Sequence, residues 1–348
     1  MDQTIAAVGL RAPDLAVLIP DVNNYTTLLA QPEGTIEADA AGVRNRDRDR
    51  ARVVFRRFLE KAVETEIDLA VTPEYSFPWE TLLASLRDGL RPALGKLWAL
   101  GCESVTLAQL SAHKTELADI ATVVFEQMAE QANRFLDPLV YVFLAEPIIG
   151  GPAELVLLVQ FKTHPMGDSY EIEHLHGGTV VYQFGMAGQG LRLVSLICSD
   201  AFAFRDADAV AIYQRSLILH IQLNPSPRQH QYRQYREKLF FYHGDETELI
   251  CLNWAGGVCE WSDGKQKAWN NPAGSAWYLR PKGFDTKDST LCSNHKHGLY
   301  YTWLQSSRAH ALFLNYMPGV YLLEATKVAH TAVPASASRR VGPKLQQV

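Results

Sequence analysis

Across 348 residues the chain has no CxxC pair, no apolar run of bilayer length and no internal repeat of solenoid period. Its five cysteines (Cys102, Cys198, Cys251, Cys259 and Cys292) are odd in number and scattered, which argues against a disulfide framework and against a structural zinc site. The opening stretch MDQTIAAVGLRAPDL lacks a basic segment followed by an apolar core and a small-residue cleavage site, so it does not read as a secretory signal. A cytoplasmic protein without membrane spans is expected. No Pro/Gly-rich linker divides the chain. A net charge of -5 with interspersed signs gives no electrostatic reason to expect nucleic acid or an anionic membrane as partner.

What is present is apolar material, 47% of the residues, enough for one large α/β domain or two modest ones. Ala51, Val54, Phe55, Phe58, Leu59 and Ala62 recur at helical spacing, with Asp47 or Asp49 available to start the helix. The run IDLAVTPE after it has the composition of a buried strand ending at a Pro-Glu corner. Further short apolar runs follow: LWALG, VYVFLAE, LVLLVQF, LVSLIC, LILHIQL, LICLNW, SAWYL and LYYTWL. Helices are expected between them at LADIATVVFEQMAEQANRFL and at the basic, aromatic PRQHQYRQYREKLFFYHG, so strands and helices interleave as in an α/β fold. The stretch from Gln31 to Asn45 reads as a surface loop, and residues from about Thr331 onward as a flexible tail.

In open α/β architectures reactive groups gather past the carboxyl ends of strands. Glu74 follows LAVTP, Lys162 follows LVLLVQF and Cys198 closes LVSLI. Taken singly, Glu74 is explained as a helix cap, Lys162 as a solvated strand end and Cys198 as a small buried hydrophobe. Read together and in order, TPEYSFPWE, FKTHP and LICSDAF make the chain resemble the nitrilase (carbon-nitrogen hydrolase) superfamily. LNPSP, CLNWAGG and SAWYLRPKG add later landmarks, and the resemblance spans roughly residues 45 to 285.

The resemblance implies a four-layer α-β-β-α sandwich, with residues 1–330 as one catalytic domain, residues 1–45 as its extended N-terminal region and 331–348 as the tail. It also implies a cysteine hydrolase with Cys198 as nucleophile, Glu74 as general base and Lys162 as oxyanion partner, helped by the backbone N–H of Ser199. A second glutamate follows the lysine in amidase members; Glu173 in EIEHLHGG stands at the matching distance, with Glu171 as its rival. His164, Asp200 and Asn224 complete the expected oxyanion and binding set. Cys198-Ser199-Asp200 favours the amidase side over true nitrilases through its aspartate, while Ser199 in place of the usual aromatic departs from both. The implied partner is a small linear amide or carbamoyl compound, with no cofactor and with assembly as a homodimer or larger homo-oligomer.

The same residues admit other readings. A nitrilase or an acyltransferase uses the same triad, and nitrilase-like domains also serve as accessory or scaffold modules of larger bacterial assemblies such as defence systems. His164, His174 and His176, or His295 with His297, have weak metal-ligand spacing and lack a pattern such as HExxH. A papain-like Cys-His pairing has no local support around Cys198. Arg228, Arg233, Arg236 and Lys238, interleaved with Tyr232 and Tyr235, read as a solvated helix face. At the N-terminus IAAVGL and LAVLIPD compete for the role of first strand, and the extra residues there either cover the pocket or mediate assembly.

Overall fold

The computed structural model describes residues 1–19, 24–166, 169–185, 192–202, 216–226, 230–243, 247–256, 258–262, 264–268, 275–279, 300–304, 309–314, 317–326 and 344–348. Among these, strands form three sheets. The largest runs in the order β19 (Lys344–Gln347), β18 (Gly319–Thr326), β1 (Asn24–Gln31), β4 (Leu69–Phe77), β5 (Leu97–Cys102), β7 (Pro138–Ala145), β8 (Glu154–Phe161), β6 (Thr122–Phe125). The second runs β16 (Tyr300–Leu304), β17 (Ala309–Phe313), β15 (Ala276–Leu279), β12 (Thr247–Leu252), β11 (Ser216–Ile221), β10 (Arg192–Ile197), β9 (Gln183–Phe184). A smaller sheet joins β14 (Lys265–Ala268), β13 (Cys259–Ser262), β2 (Thr35–Asp39) and β3 (Gly42–Asn45).

The two large sheets face each other. One apolar cluster draws Leu29, Val71 and Leu158 from the first and Leu193, Leu219 and Ile250 from the second, and because both faces of these strands are covered, their sequences are continuous apolar runs rather than alternations. On the outer face of the first sheet lie α2 (Arg48–Glu64), α3 (Trp79–Arg87) and α4 (Leu107–Glu116), through Phe55, Phe58, Leu82 and Leu110. On the outer face of the second lies a helix at His230–His243, through Tyr235 and Leu239. The four-layer α-β-β-α sandwich that the resemblance implied is the architecture observed. Two further short helices, α1 (Asp2–Ala6) and α5 (Ser169–His174), come earlier in the chain than the outer helix of the second sheet, which is therefore α6.

Strand directions decide where chemistry can gather. β4 is parallel to β1 and β5, and β8, antiparallel to β7, which is antiparallel to β5, therefore runs the same way as β4. β10, β11 and β12 are mutually parallel. The carboxyl ends of β4 and β8 thus lie on one rim of the first sheet, where those of β11 and β12 reach them.

Four sequence expectations are corrected. Neither IAAVGL nor LAVLIPD is the first strand: the former is α1 and a turn, the latter holds a 3-10 turn at Ala16–Leu18, and Asn24–Gln31 forms β1. Gln31 to Asn45 is not a surface loop but the end of β1 and the β2–β3 hairpin, whose Ile36, Ala38 and Val43 are buried against Tyr75 and Trp254. LADIATVVFEQMAEQANRFL is not a helix; its Thr122–Phe125 pairs with β8 as β6, and the helix lies upstream at α4. Of the expected tail, 331–343 lie outside the described residues, while Lys344–Gln347 pair with β18.

The helix expected from Ala51 to Ala62 is α2, and Asp47 is its cap: the carboxylate accepts from Arg50 N at 3.0 Å. Asp47→Ala therefore costs about 1 kcal/mol in urea unfolding. A variant as stable as the parent would contradict this assignment.

Candidate active site

Glu74 sits where β4 leaves regular pairing. Register with β5 holds from Leu69 to Thr72 and resumes at Phe77, so 73–76 bulge out of the ladder. Pro73 has no N–H to lose there. The bulge is tight: Tyr75 has a φ of 58°, and a Cβ on Gly101 would meet the Pro73 carbonyl oxygen at 2.2 Å. Only glycine lets β5 pass so close. Lys162 is the first residue beyond β8, and Cys198, the first beyond β10, has a φ of 46° as it opens a 3-10 turn, Cys198–Phe202. Non-glycine residues in the left-handed region are uncommon and concentrate at functional sites, and here two stand at one site.

The centre is one ammonium among oxygens. Lys162 Nζ donates to Glu74 Oε1 at 2.9 Å, to Glu171 Oε1 at 2.8 Å and to the Tyr75 hydroxyl at 3.3 Å. Glu74, Lys162 and Glu171 are all buried. The second sheet holds Glu74 from across the rim: Leu223 N donates to its Oε2 at 2.8 Å, and Trp254 Nε1 to its backbone carbonyl at 2.8 Å. Glu171 Oε2 accepts from Met166 N at 2.6 Å. The Tyr75 hydroxyl faces a further buried carboxylate, Asp137, at 2.6 Å, as well as Glu171 at 2.9 Å. Asp137 also accepts from Ser104, whose hydroxyl takes the Val43 N–H of β3.

Three carboxyls and one ammonium cannot all be ionised without a net buried negative charge. Burial pushes Glu74 up to about 7 against the pull of Lys162, and Glu171 adds to the rise. Burial likewise lifts Asp137 to about 7. For Lys162 burial acts the other way, but Glu171 and Glu74 outweigh it and hold the amine protonated, well above the ordinary lysine range. The Cys198 thiol is raised well above its usual value by burial and by Glu74, with Lys162 and Tyr232 pulling it down. Its sulfur is 3.3 Å from the Tyr232 hydroxyl of α6 and 3.9 Å from the Met166 sulfur.

Asp200 locks the Cys198 turn to the lysine corner. Its Oδ1 accepts from Thr163 N at 2.7 Å, Thr163 Oγ1 at 2.8 Å and His164 N at 3.1 Å, and its Oδ2 from Ile197 N at 3.2 Å. Ser199 is buried and donates through Oγ to the His164 carbonyl at 2.6 Å. His164 thus contributes backbone groups, while its side chain is exposed. Asn224 spends its side chain on its own corner, accepting from Ser226 N and donating to Gln222.

Glu173 is a correction. On α5 it points outward, 69% exposed beside His174, whereas Glu171, two residues earlier, turns inward onto Lys162. Helical geometry separates the two onto opposite faces. Tyr232 and Tyr235, read as part of a solvated face, are buried. Tyr75, Asp137 and Tyr232 were missed altogether as site residues; the sole signal in sequence was the position of Tyr75 next to Glu74. Arg228, His295 and His297 lie outside the described residues.

No protein-family model and no curated protein sequence matches the chain. Among solved structures it is similar to an amidase from Nesterenkonia sp., at 13% identity and a TM-score of 0.46 over 90% of this chain and 95% of that one. It is also similar to a CN-hydrolase superfamily protein from Xanthomonas campestris, at 15% identity and a TM-score of 0.41 over 72% and 80%. Nit3 of Saccharomyces cerevisiae, a member of branch 10 of the nitrilase superfamily, gives 11% and 0.44 over 91% and 97%. At such overlaps no residue role transfers, and roles rest on the geometry above.

The raised Asp137 has a consequence for stability. A carboxyl whose pKa is higher folded than unfolded contributes stability below its unfolded value, near about 3.9, and loses it as pH climbs through about 7. Asp137→Asn should therefore gain stability relative to the parent steadily from pH 5 to pH 7 and level off above pH 8, in urea unfolding at each pH. A difference that stays constant with pH would refute the buried proton.

Proposed function

We propose that the chain hydrolyses a non-peptide C–N bond, in a linear amide or carbamoyl compound, through a thioester on Cys198. What supports the reading most is the buried Lys162 ammonium, clamped between Glu74 and Glu171 on the rim where Cys198 sits in a strained turn. A structural ion pair has no need of a cysteine beside it, and buried pairs are weak stabilisers, so function is the better reason for this one.

In this mechanism the Cys198 S–H proton passes to the Glu74 carboxylate while sulfur bonds to the carbonyl carbon and the C=O electron pair moves onto oxygen. Lys162 and the Ser199 N–H stabilise that oxyanion. When the intermediate collapses, the C–N bond breaks toward nitrogen, which takes the proton from Glu74 and leaves as ammonia. Water, deprotonated by Glu74, then attacks the thioester, and the thiolate recovers a proton as the acid departs. A Glu74 poised near 7 suits both directions of transfer. Glu171 keeps Lys162 charged, and Asp200 positions the two corners.

Release of ammonia from a panel of amides, carbamoyl compounds and nitriles, with hydroxylamine as a competing acceptor, separates hydrolase, nitrilase and acyltransferase. On any substrate found, Glu74→Gln slows both half-reactions by roughly a hundredfold or more. Lys162→Met costs on the order of 3 kcal/mol in the transition state, and Glu171→Gln lowers turnover while Glu173→Gln leaves it within about twofold. Cys198→Ala folds and is inert. Undiminished turnover by Cys198→Ala would end this reading.

A further inference from the structure

The hydroxyl of Tyr232 is in an odd position for a buried phenol. The residue is 0% exposed, yet among the described residues the hydroxyl's hydrogen-bond partners are two sulfurs, Cys198 Sγ at 3.3 Å and Met166 Sδ at 3.6 Å. Neutral sulfur is a weak acceptor, and a buried O–H with only weak partners is costly. The ring is nevertheless fixed, with Phe202 at 4.6 Å and His220 at 5.9 Å between centroids. Glu74 meanwhile has both oxygens engaged, by Lys162 and by Leu223 N. Among the described residues no hydrogen bond joins Glu74 to the thiol, and the sulfur's hydrogen-bond partners are the phenol and the Met166 sulfur.

Resting on the nucleophile reading above, we infer that Tyr232 is a further catalytic residue: its hydroxyl donates to the Cys198 sulfur, stabilising the negative charge that gathers there as the proton leaves for Glu74 and again as sulfur departs in deacylation. No proton is transferred by the phenol. Its hydrogen bond is weak to the thiol and strong to the anion, because bonds to an ionised acceptor are shorter and roughly twice as strong. In the thioester the sulfur carries no charge and the bond weakens again, so the stabilisation follows the charge. The other groups acting on the sulfur are Glu74 on β4, Lys162 beyond β8 and Glu171 on α5, while His220 of β11 meets the Cys198 carbonyl and Asp200 the Ile197 N–H. None of these donates a hydrogen bond to sulfur.

The test is the pH profile of Cys198 alkylation by iodoacetamide, read by peptide mass spectrometry on the whole chain, in the parent, in Tyr232→Phe and with 2,3-difluorotyrosine at position 232. Phenylalanine keeps the ring and removes the donor; the fluorinated phenol keeps the shape and is the stronger donor. The expected result is a midpoint about one pH unit higher in Tyr232→Phe, with the rate at pH 7 down roughly tenfold. At alkaline pH its rate equals or exceeds the parent's, since a less stabilised thiolate is the better nucleophile. Difluorotyrosine moves the midpoint down. Rates that fall equally at every pH, or a midpoint that does not move in either variant, overturn the inference and leave the nucleophile reading intact. A parent Cys198 that reacts no faster than Cys102 or Cys251 overturns both.

Discussion

One buried ammonium sets the terms for the rest of the molecule. Lys162 is fully enclosed, and taking a charged amine out of water costs several kcal/mol even after relaxation. The cost is offset only by close, well-directed acceptors, and the fold supplies three: Glu74, Glu171 and the Tyr75 hydroxyl. Each acceptor then needs its own partners. Leu223 N and Trp254 serve Glu74, Met166 N serves Glu171, and Asp137 with Ser104 serves Tyr75. Removing one member of such a set leaves an uncompensated buried charge, which typically costs about 3–5 kcal/mol.

This requirement explains features that would otherwise look like defects. The bulge at 73–76 turns Glu74 and Tyr75 toward the second sheet, and Gly101 gives the bulge room. Asn45, at the end of the β2–β3 hairpin, donates to the carbonyls of Tyr75 and Ser76 at 3.4 and 2.8 Å and is itself held by Glu103. The hairpin is thus a brace behind the site rather than a peripheral loop. The left-handed backbone at Tyr75 and Cys198 is local strain of order 1–3 kcal/mol each, held in place by the surrounding hydrogen bonds.

Strand ends are legible in the sequence because strands buried on both faces leave continuous apolar runs, and a polar or reactive residue at the end of such a run stands out, as Glu74, Lys162 and Cys198 do. Groups that reach the site from other elements leave no such mark. Asp137 precedes β7 at its amino end, Tyr232 looks like one aromatic among basic neighbours, and Glu171 differs from Glu173 only by which face of a six-residue helix it occupies. The hairpin at Thr35–Asn45 was missed because its acidic and glycine-containing composition masks the alternation of Ile36 and Ala38 with polar neighbours. LADIATVVF failed as a helix because Val123 and Val124 find partners on β8, and such a pairing is invisible to local periodicity.

The central claim is that Cys198 forms a covalent acyl intermediate which Lys162 helps to create. Acid quenching during turnover of an amide substrate, followed by mass spectrometry of the digest, tests it most directly. The Cys198 peptide should carry the acyl increment, the increment should vanish in Cys198→Ala, and it should accumulate far more slowly in Lys162→Met. Steady ammonia release with no acyl group on Cys198 under rapid quench, or with the group on another cysteine, would contradict the account.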